Sequence, residues 1–217
     1  MADQIEAGLG RKVEFHCANS AATLLWPKTH GTFVRCGIAS YGLWPSRETW
    51  LSTIQNTEHS GIVELRPALT WRAEITQIKQ VESGSYISYG RTYRTTSTSR
   101  IAVLGVGYAD GYDRRLSNQA HGILAGVRVP VRGRVCMNLT MVDVTDVPKC
   151  IPGDEVTLLG RQGNENLPAE QLASWIGTIN YEVPTRIAAD VPRIAVDIPQ
   201  ELVPRLSQHD IPMEKMR

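Results

Sequence analysis

From Leu69 onward the chain is a succession of short β-type runs cut apart by turn signals, and this pattern constrains the fold more than any other feature. LTWRAEITQIKQV (69–81), RIAVLGVGY (100–108), HGILAGVRVPVRGRV (121–135), LTMVDVTDV (139–147) and DEVTLLG (154–160) are rich in Val, Ile, Leu and Thr. Asp110-Gly111, Pro130 and Pro152-Gly153 punctuate them. Short strands with frequent turns predict a β-domain, barrel or sandwich. PAEQLASWIG (168–177) then reads as a helix with Pro168 in its first turn.

The texture before Leu65 is different. MADQIEAGLG reads as the tail of a helix, with Gly8 and Gly10 as stop signals, and not as a signal peptide. The strand VEFHCA (13–18), a helical stretch AATLLW (21–26) and the strand TFVRCGI (32–38) follow in α/β rhythm. A polar loop or helix, WPSRETWLSTIQNTEHSG, closes this part. The expected division is an α/β piece over residues 1–66 and a mainly β domain over 67–217.

The chain has 217 residues, enough to bury a real core, and a net charge of +1 with a pI near 7.7. No strong field draws it to nucleic acid or an anionic membrane, and no apolar run approaches membrane-spanning length. Cys17, Cys36, Cys136 and Cys150 show no CxxC spacing, so no metal site is expected. Cys17 and Cys36 lie in strand-like runs, where buried free thiols are the ordinary reading, and a reduced, cytoplasmic compartment fits.

Several segments carry possible chemistry. Ser20 opens a helical stretch after the first strand, and Gly37 ends the second. Small polar residues and glycine where strands end are the material of an anion site, of the kind barrels build after their last two strands. Local pattern alone favours the plainer alternative, an N-cap serine and a turn glycine. Arg35 and His16 are either polar residues on a solvated sheet face or a pair facing a barrel mouth. YISYGRTY (86–93) is either an edge strand turning a corner at Tyr89-Gly90 or a phenol held out for proton exchange. GVGYADGYDRR (105–115) has tyrosines four apart around an Asp-Gly turn and reads by itself as a hairpin signal with aromatic flanks. Met137 is by default core filler, and Tyr181 a packed tyrosine.

Taken in order, HCANSAATL, RCGIASYGLWP, SYGRTY, GVGYADGY, GRVCMN, GDEVTLLGRQG and TINYEVPTRIAADVPRI resemble the alanine racemase family. The resemblance runs from about Glu14 to Arg193. It implies a pyridoxal-phosphate (PLP) enzyme with an N-terminal (β/α)8 barrel, a C-terminal β-domain and a homodimer with composite active sites. It also implies interconversion of L- and D-alanine, with D-alanine going to peptidoglycan. Residue by residue, Ser20, Gly37 and Ile38 resemble the phosphate cradle, with Tyr181 adding its hydroxyl. Arg35 resembles the residue facing the pyridine nitrogen, and His16 its hydrogen-bond partner. Guanidinium holds its proton tightly, so such an arginine leaves the ring nitrogen unprotonated and the cofactor a weaker electron sink. Tyr89 resembles the catalytic tyrosine, which with Met137 reaches the partner subunit's site. A free phenol titrates near ~10, so service near neutrality requires tuning and positioning. Tyr108, Arg114, Arg134 and Ile179 resemble residues lining the path by which substrate arrives.

There are departures from the family pattern. Asn138 stands where the family usually has aspartate, which leaves a serine or broad-specificity racemase open. Asp113 stands where proline is common, a change expected to matter little. The family's second base is the lysine that also holds PLP, in a motif like KANAYGHG at the end of the first barrel strand. No such motif is present, and Lys12, Lys28, Lys79, Lys149 and Lys215 all lack that context. A (β/α)8 barrel takes roughly 200 residues or more. The stretch before Leu65 is therefore expected to be its last two strands, and the chain the C-terminal portion of the enzyme, inactive alone. A non-catalytic β-domain serving dimerisation or interaction is the alternative of another class.

Overall fold

The structure, a computed structural model, describes residues 2–55 and 64–196. The end of the polar stretch after Gln55, the last part of the expected β domain and Lys215 lie outside the described residues. Helix α1 (Ala2–Leu9) ends before Gly10, as its glycine predicts. Residues 13–18 lead to α2 (Ser20–Leu25), and residues 32–37 return beside them. Thr32 N–H donates to Phe15 O at 3.0 Å, and Arg35 N–H to Ala18 O at 2.9 Å. The two segments run parallel, with partners advancing three residues at a time. A regular ladder advances by two, so they stay short of one despite their strand-like composition. A turn at Ile38–Tyr41 and helix α3 (Arg47–Gln55) follow.

The remaining strands build the β-domain. They are β1 (Trp71–Val81), β2 (Tyr86–Ile87), β3 (Tyr93–Arg94), β4 (Ser99–Leu104), β5 (His121–Leu124), β6 (Val127–Pro130), β7 (Thr140–Asp143), β8 (Glu155–Gln162) and β9 (Glu165–Leu167). Strand order is β6-β5-β8-β1-β4-β7, every pair antiparallel, with β9 also on β8. The ends of this path meet. Val131 bridges Val142, and Arg132 N–H donates to Met141 O at 2.9 Å. Of barrel and sandwich, the observed architecture is a closing barrel, which removes the exposed edges an open sheet would leave.

Strand β1 holds the barrel together because its length lets it serve two neighbours. Its first half pairs β8 and its second half β4. Trp71, Ala73 and Ile75 are buried while Arg72 and Glu74 face solvent, the alternation of a half-buried strand. A bulge between Ile75 and Gln77 then shifts the register. Strand β8 instead buries Val156 through Gly160 without alternation. Helix α4 (Ala169–Ile176) accounts for this by packing its apolar stripe, Ala169, Leu172, Ala173 and Ile176, near the strand. Ile75, Leu104, Ile123, Val142 and Leu158 fill the interior, each fully buried. Burial of this kind is worth about 1.5–3 kcal/mol per side chain.

The Asp110-Gly111 signal does not make a hairpin. Tyr108–Asp110 is a 3-10 turn, closed by Gly107 N–H donating to the Asp110 carboxylate at 2.8 Å. Tyr112 consequently turns inward, edge-on to Trp71 with ring centroids 5.9 Å apart, and burial raises its phenol above the ordinary range. The thiol expectation is also corrected. Cys17 and Cys36 are exposed, whereas Cys150 is buried, because the paired segments carry no cover over those faces among the described residues. No helix among the described residues is long and apolar enough to cross a membrane.

Asp113 matters more than its sequence context suggests. It caps the turn Arg114–Leu116, accepting from Arg115 N–H at 2.8 Å. Its carboxylate pairs with Arg115 at 2.9 Å and with Arg186, on helix α5 (Glu182–Arg186), at 2.7 Å. The Arg115 hydrogen bond, opposed by partial burial and helped by the charges of Arg115 and Arg186, holds the carboxyl below its ordinary value. A lowered folded-state value stabilises above the unfolded carboxylate pKa and loses that contribution as pH falls through the folded one. Asp113→Ala is therefore expected to cost about 1–2 kcal/mol at neutral pH. The difference from the parent should shrink below pH ~4, read from urea midpoints across pH.

Candidate active site

Two groups of residues named from the sequence assemble at different places on the chain. The first lies where residues 13–18 and 32–37 end. Asn19, not Ser20, is the N-cap of α2, its side chain accepting from Ala22 N–H at 3.1 Å. That frees the Ser20 hydroxyl, which is 5% exposed. It accepts from Gly37 N–H at 2.9 Å and from Ala39 N–H at 3.3 Å. Ile38, between those donors, is buried. The serine accepts both bonds, so its own proton is left to donate. Helix α2 is only 6 residues long, so its dipole carries no argument for an anion here, and the group left to meet one is the Ser20 proton.

Arg35 and His16 are exposed, and no hydrogen bond joins them among the described residues. His16 instead lies against Phe33, ring centroids 4.5 Å apart and tilted by 38°. Tyr181 precedes α5 and is partly exposed. Its neighbour Asn180, which the motifs do not single out, ties this segment to the first part of the chain. Buried Asn180 donates from Nδ2 to Trp44 O at 2.9 Å and to Glu170 Oε1 at 2.8 Å.

The second group lies on the β-domain. The Tyr108 turn docks on the 136–137 backbone, Tyr108 N–H donating to Cys136 O and Ala109 N–H to Met137 O, both at 2.9 Å. Only glycine fits at 107, because a Cβ there would lie 2.2 Å from Cys136 O. Tyr89 sits in a 3-10 turn between β2 and β3, so the segment does turn a corner, and it presents the phenol while doing so. Tyr89 is 76% exposed and Met137 55% exposed. Met137 is thus not core filler: its backbone carbonyl is used to hold the Tyr108 turn, and its side chain projects outward. Tyr108, Arg114 and Ile179 are exposed as well, and Arg134 is half-buried. The Arg134 Nε is buried with no hydrogen-bond partner in the protein.

Asn118 and Ser117, absent from the sequence reading, connect these loops. Asn118 Oδ1 accepts from Gly133 N–H at 2.6 Å, and its Nδ2 donates to Thr92 Oγ1 at 3.2 Å. Ser117 Oγ donates to Arg114 O at 2.5 Å and accepts from Val135 N–H at 2.9 Å. Tyr89, Arg114 and Arg134 are therefore mounted on mutually bonded loops of one surface.

The family model described as "Alanine racemase, C-terminal domain" matches residues 68–195. The chain belongs to the alanine racemase family. The model "Alanine racemase, N-terminal domain" matches residues 1–45. Alanine racemase of Leptospira interrogans is 43% identical over 182 residues, 84% of this chain and 46% of that protein. The crystal structure of alanine racemase from Bacillus anthracis, with bound L-Ala-P, is similar at a TM-score of 0.76 and 41% identity, covering 89% of this chain and 48% of that one. Alanine racemase from Streptomyces coelicolor A3(2) gives a TM-score of 0.76 at 36% identity, covering 90% and 49%. The chain thus spans about half the length of the relatives it matches. Its fold is the family's β-domain together with a small portion of the barrel.

The family is PLP-dependent, and the residues here fit that cofactor in part. The spare proton of the Ser20 hydroxyl, held in place by the Gly37 and Ala39 N–H groups, suits a phosphate oxygen. Among the described residues, Lys12, Lys28, Lys79 and Lys149 are all exposed to solvent, and none hydrogen-bonds to Ser20, Gly37 or Ala39. Gly107→Ala should push the Tyr108 turn off the 136–137 backbone and lower stability by about 1–3 kcal/mol, measured as a shift in denaturant midpoint. An unshifted midpoint would mean that the close approach is not required.

Proposed function

We infer that this chain carries the C-terminal half of an alanine racemase, a cytoplasmic enzyme that interconverts L- and D-alanine and supplies D-alanine for peptidoglycan. On this reading residues 1–66 contribute the end of the cofactor-binding barrel, and 67–217 the β-domain. The observation that carries it is the joint presence of two surfaces. One is the buried Ser20 hydroxyl meeting the Gly37 and Ala39 N–H groups, and the other is an exposed phenol, Tyr89, mounted on bonded loops. A dimerisation module without chemistry requires neither.

Bound PLP would supply the electron sink that makes the α-hydrogen of alanine acidic. Ser20, the backbone at Gly37 and Ile38, and the Tyr181 hydroxyl would hold its phosphate, and Arg35 would face its ring nitrogen. His16 would be the hydrogen-bond partner of Arg35. Tyr89 takes or returns the α-proton on one face of the substrate, reaching with Met137 into the partner subunit's site of a homodimer. The exposure of both side chains supports that reach, because a group working in its own subunit's interior would be covered. Tyr108, Arg114, Arg134 and Ile179 line the approach, where the arginines favour a substrate carboxylate. Asn138, exposed beside Met137, is the position at which preference for alanine or serine is to be compared.

Racemisation needs an acid and a base on opposite faces, and general acid–base groups contribute about 10²–10⁴-fold. Joined to a barrel segment carrying the cofactor lysine, the Tyr89→Phe variant should retain PLP and lose turnover by about that factor. The 217-residue chain by itself should neither racemise alanine nor keep a cofactor absorption band through gel filtration. A retained band would show that the chain has its own covalent anchor and overturn the half-enzyme reading.

A further inference from the structure

Ser88, immediately before Tyr89, has φ 66° and ψ −177°. Essentially only glycine enters this region, and any other residue persists there only when its surroundings over-determine it. Two contacts do so. The Ser88 hydroxyl donates to Arg134 O at 2.7 Å and lies 3.4 Å from Cys136 Sγ. Gly133, with φ 78°, passes so close that a Cβ on it would sit 2.6 Å from both Ile87 O and Ser88 Cβ. On the far side of the turn, Thr92 accepts from Asn118, which also accepts from Gly133 N–H. Tyr89 is suspended between these two clamps with its ring 76% exposed. Its direction is therefore set by backbone held from outside and not by packing around the ring.

We propose that Ser88 is the positioning residue for Tyr89: its hydrogen bond to the Arg134 carbonyl holds a backbone conformation that serine itself resists, and that conformation aims the phenol. The proposal rests on the reading of Tyr89 as the proton-transfer group. It makes Ser88 a residue where stability and function oppose each other. Ser88→Gly removes the hydrogen bond and the strain together. Ser88→Ala removes the hydrogen bond and keeps the strain.

Two measurements test it. In the 217-residue chain, amide hydrogen exchange at residues 89–92 should rise about tenfold in Ser88→Gly while the melting temperature holds or rises. Ser88→Ala should melt lower than Ser88→Gly. In the protein completed by a lysine-bearing barrel segment, Ser88→Gly should lower kcat about 10–100-fold, because misplacement by about 1 Å costs that much, with KM changed less than about twofold. Tyr89→Phe is the reference in the same assay. If Tyr89→Phe leaves turnover intact, the reading of Tyr89 falls and the proposal with it. If Tyr89→Phe slows turnover and Ser88→Gly does not, only the positioning role of Ser88 is overturned. Loss of stability and turnover together in Ser88→Gly would assign Ser88 a purely structural role and likewise overturn it.

Discussion

The contact between the Tyr108 turn and the backbone at Cys136 and Met137 is the constraint on which the β-domain surface depends. Two N–H groups donate to two successive carbonyls at 2.9 Å, and a glycine at 107 is the condition for that approach. It places Tyr108 beside Met137. It also fixes the 133–137 segment, to which Ser88 attaches through Arg134 O and Asn118 through Gly133 N–H. Exposed side chains have few neighbours packed around them to set their direction. Here that direction comes from main-chain hydrogen bonds beneath them, which leaves the side chains free to meet something outside the chain.

The barrel beneath supplies rigidity. Loops positioned by a rigid scaffold are where functional groups concentrate, and the scaffold here is rigid because its sheet closes. Strand β1 bonds to two neighbours along its length, β8 is buried on both faces, and the Val131–Val142 bridge joins the ends. The N-terminal part is built differently. Its two parallel segments share two backbone hydrogen bonds, and the buried Ser20 hydroxyl accepts from the Gly37 and Ala39 N–H groups. Asn180 couples the two parts by donating to Trp44 O across 136 residues of sequence.

Strands β1, β4, β7 and β8 were legible because each is a local apolar run with its own turn signals, and the helix at Pro168 because its stripe and its glycine stop are local too. Motif resemblance singled out Tyr89, Tyr108, Arg134 and Met137, of which Tyr89, Tyr108 and Met137 are exposed and Arg134 is half-buried. Other readings went astray where a short-range rule met a longer-range bond. Asp110-Gly111 looked like a hairpin until Asp110 was seen closing a turn on Gly107. Ser20 looked like a cap, yet Asn19 does that work and Ser20 serves the Gly37 backbone 17 residues away. Asp113 looked incidental, but its partner Arg186 is 73 residues distant.

By itself, the sequence determined which residues are available: a phenol beside a glycine, a serine at the end of an apolar run, arginines near both, and no lysine in the motif that anchors the cofactor. Those are matters of composition and local order. Only the tertiary structure decided how they are held. It set Ser88 in a glycine-type conformation against Arg134, put Asn118 between Thr92 and Gly133, and turned Tyr112 inward while Tyr89 faces out. The physical reason is that each of these outcomes depends on hydrogen bonds or close approaches between segments far apart in the chain. Such contacts exist only once the barrel has closed and brought its loops to a common surface.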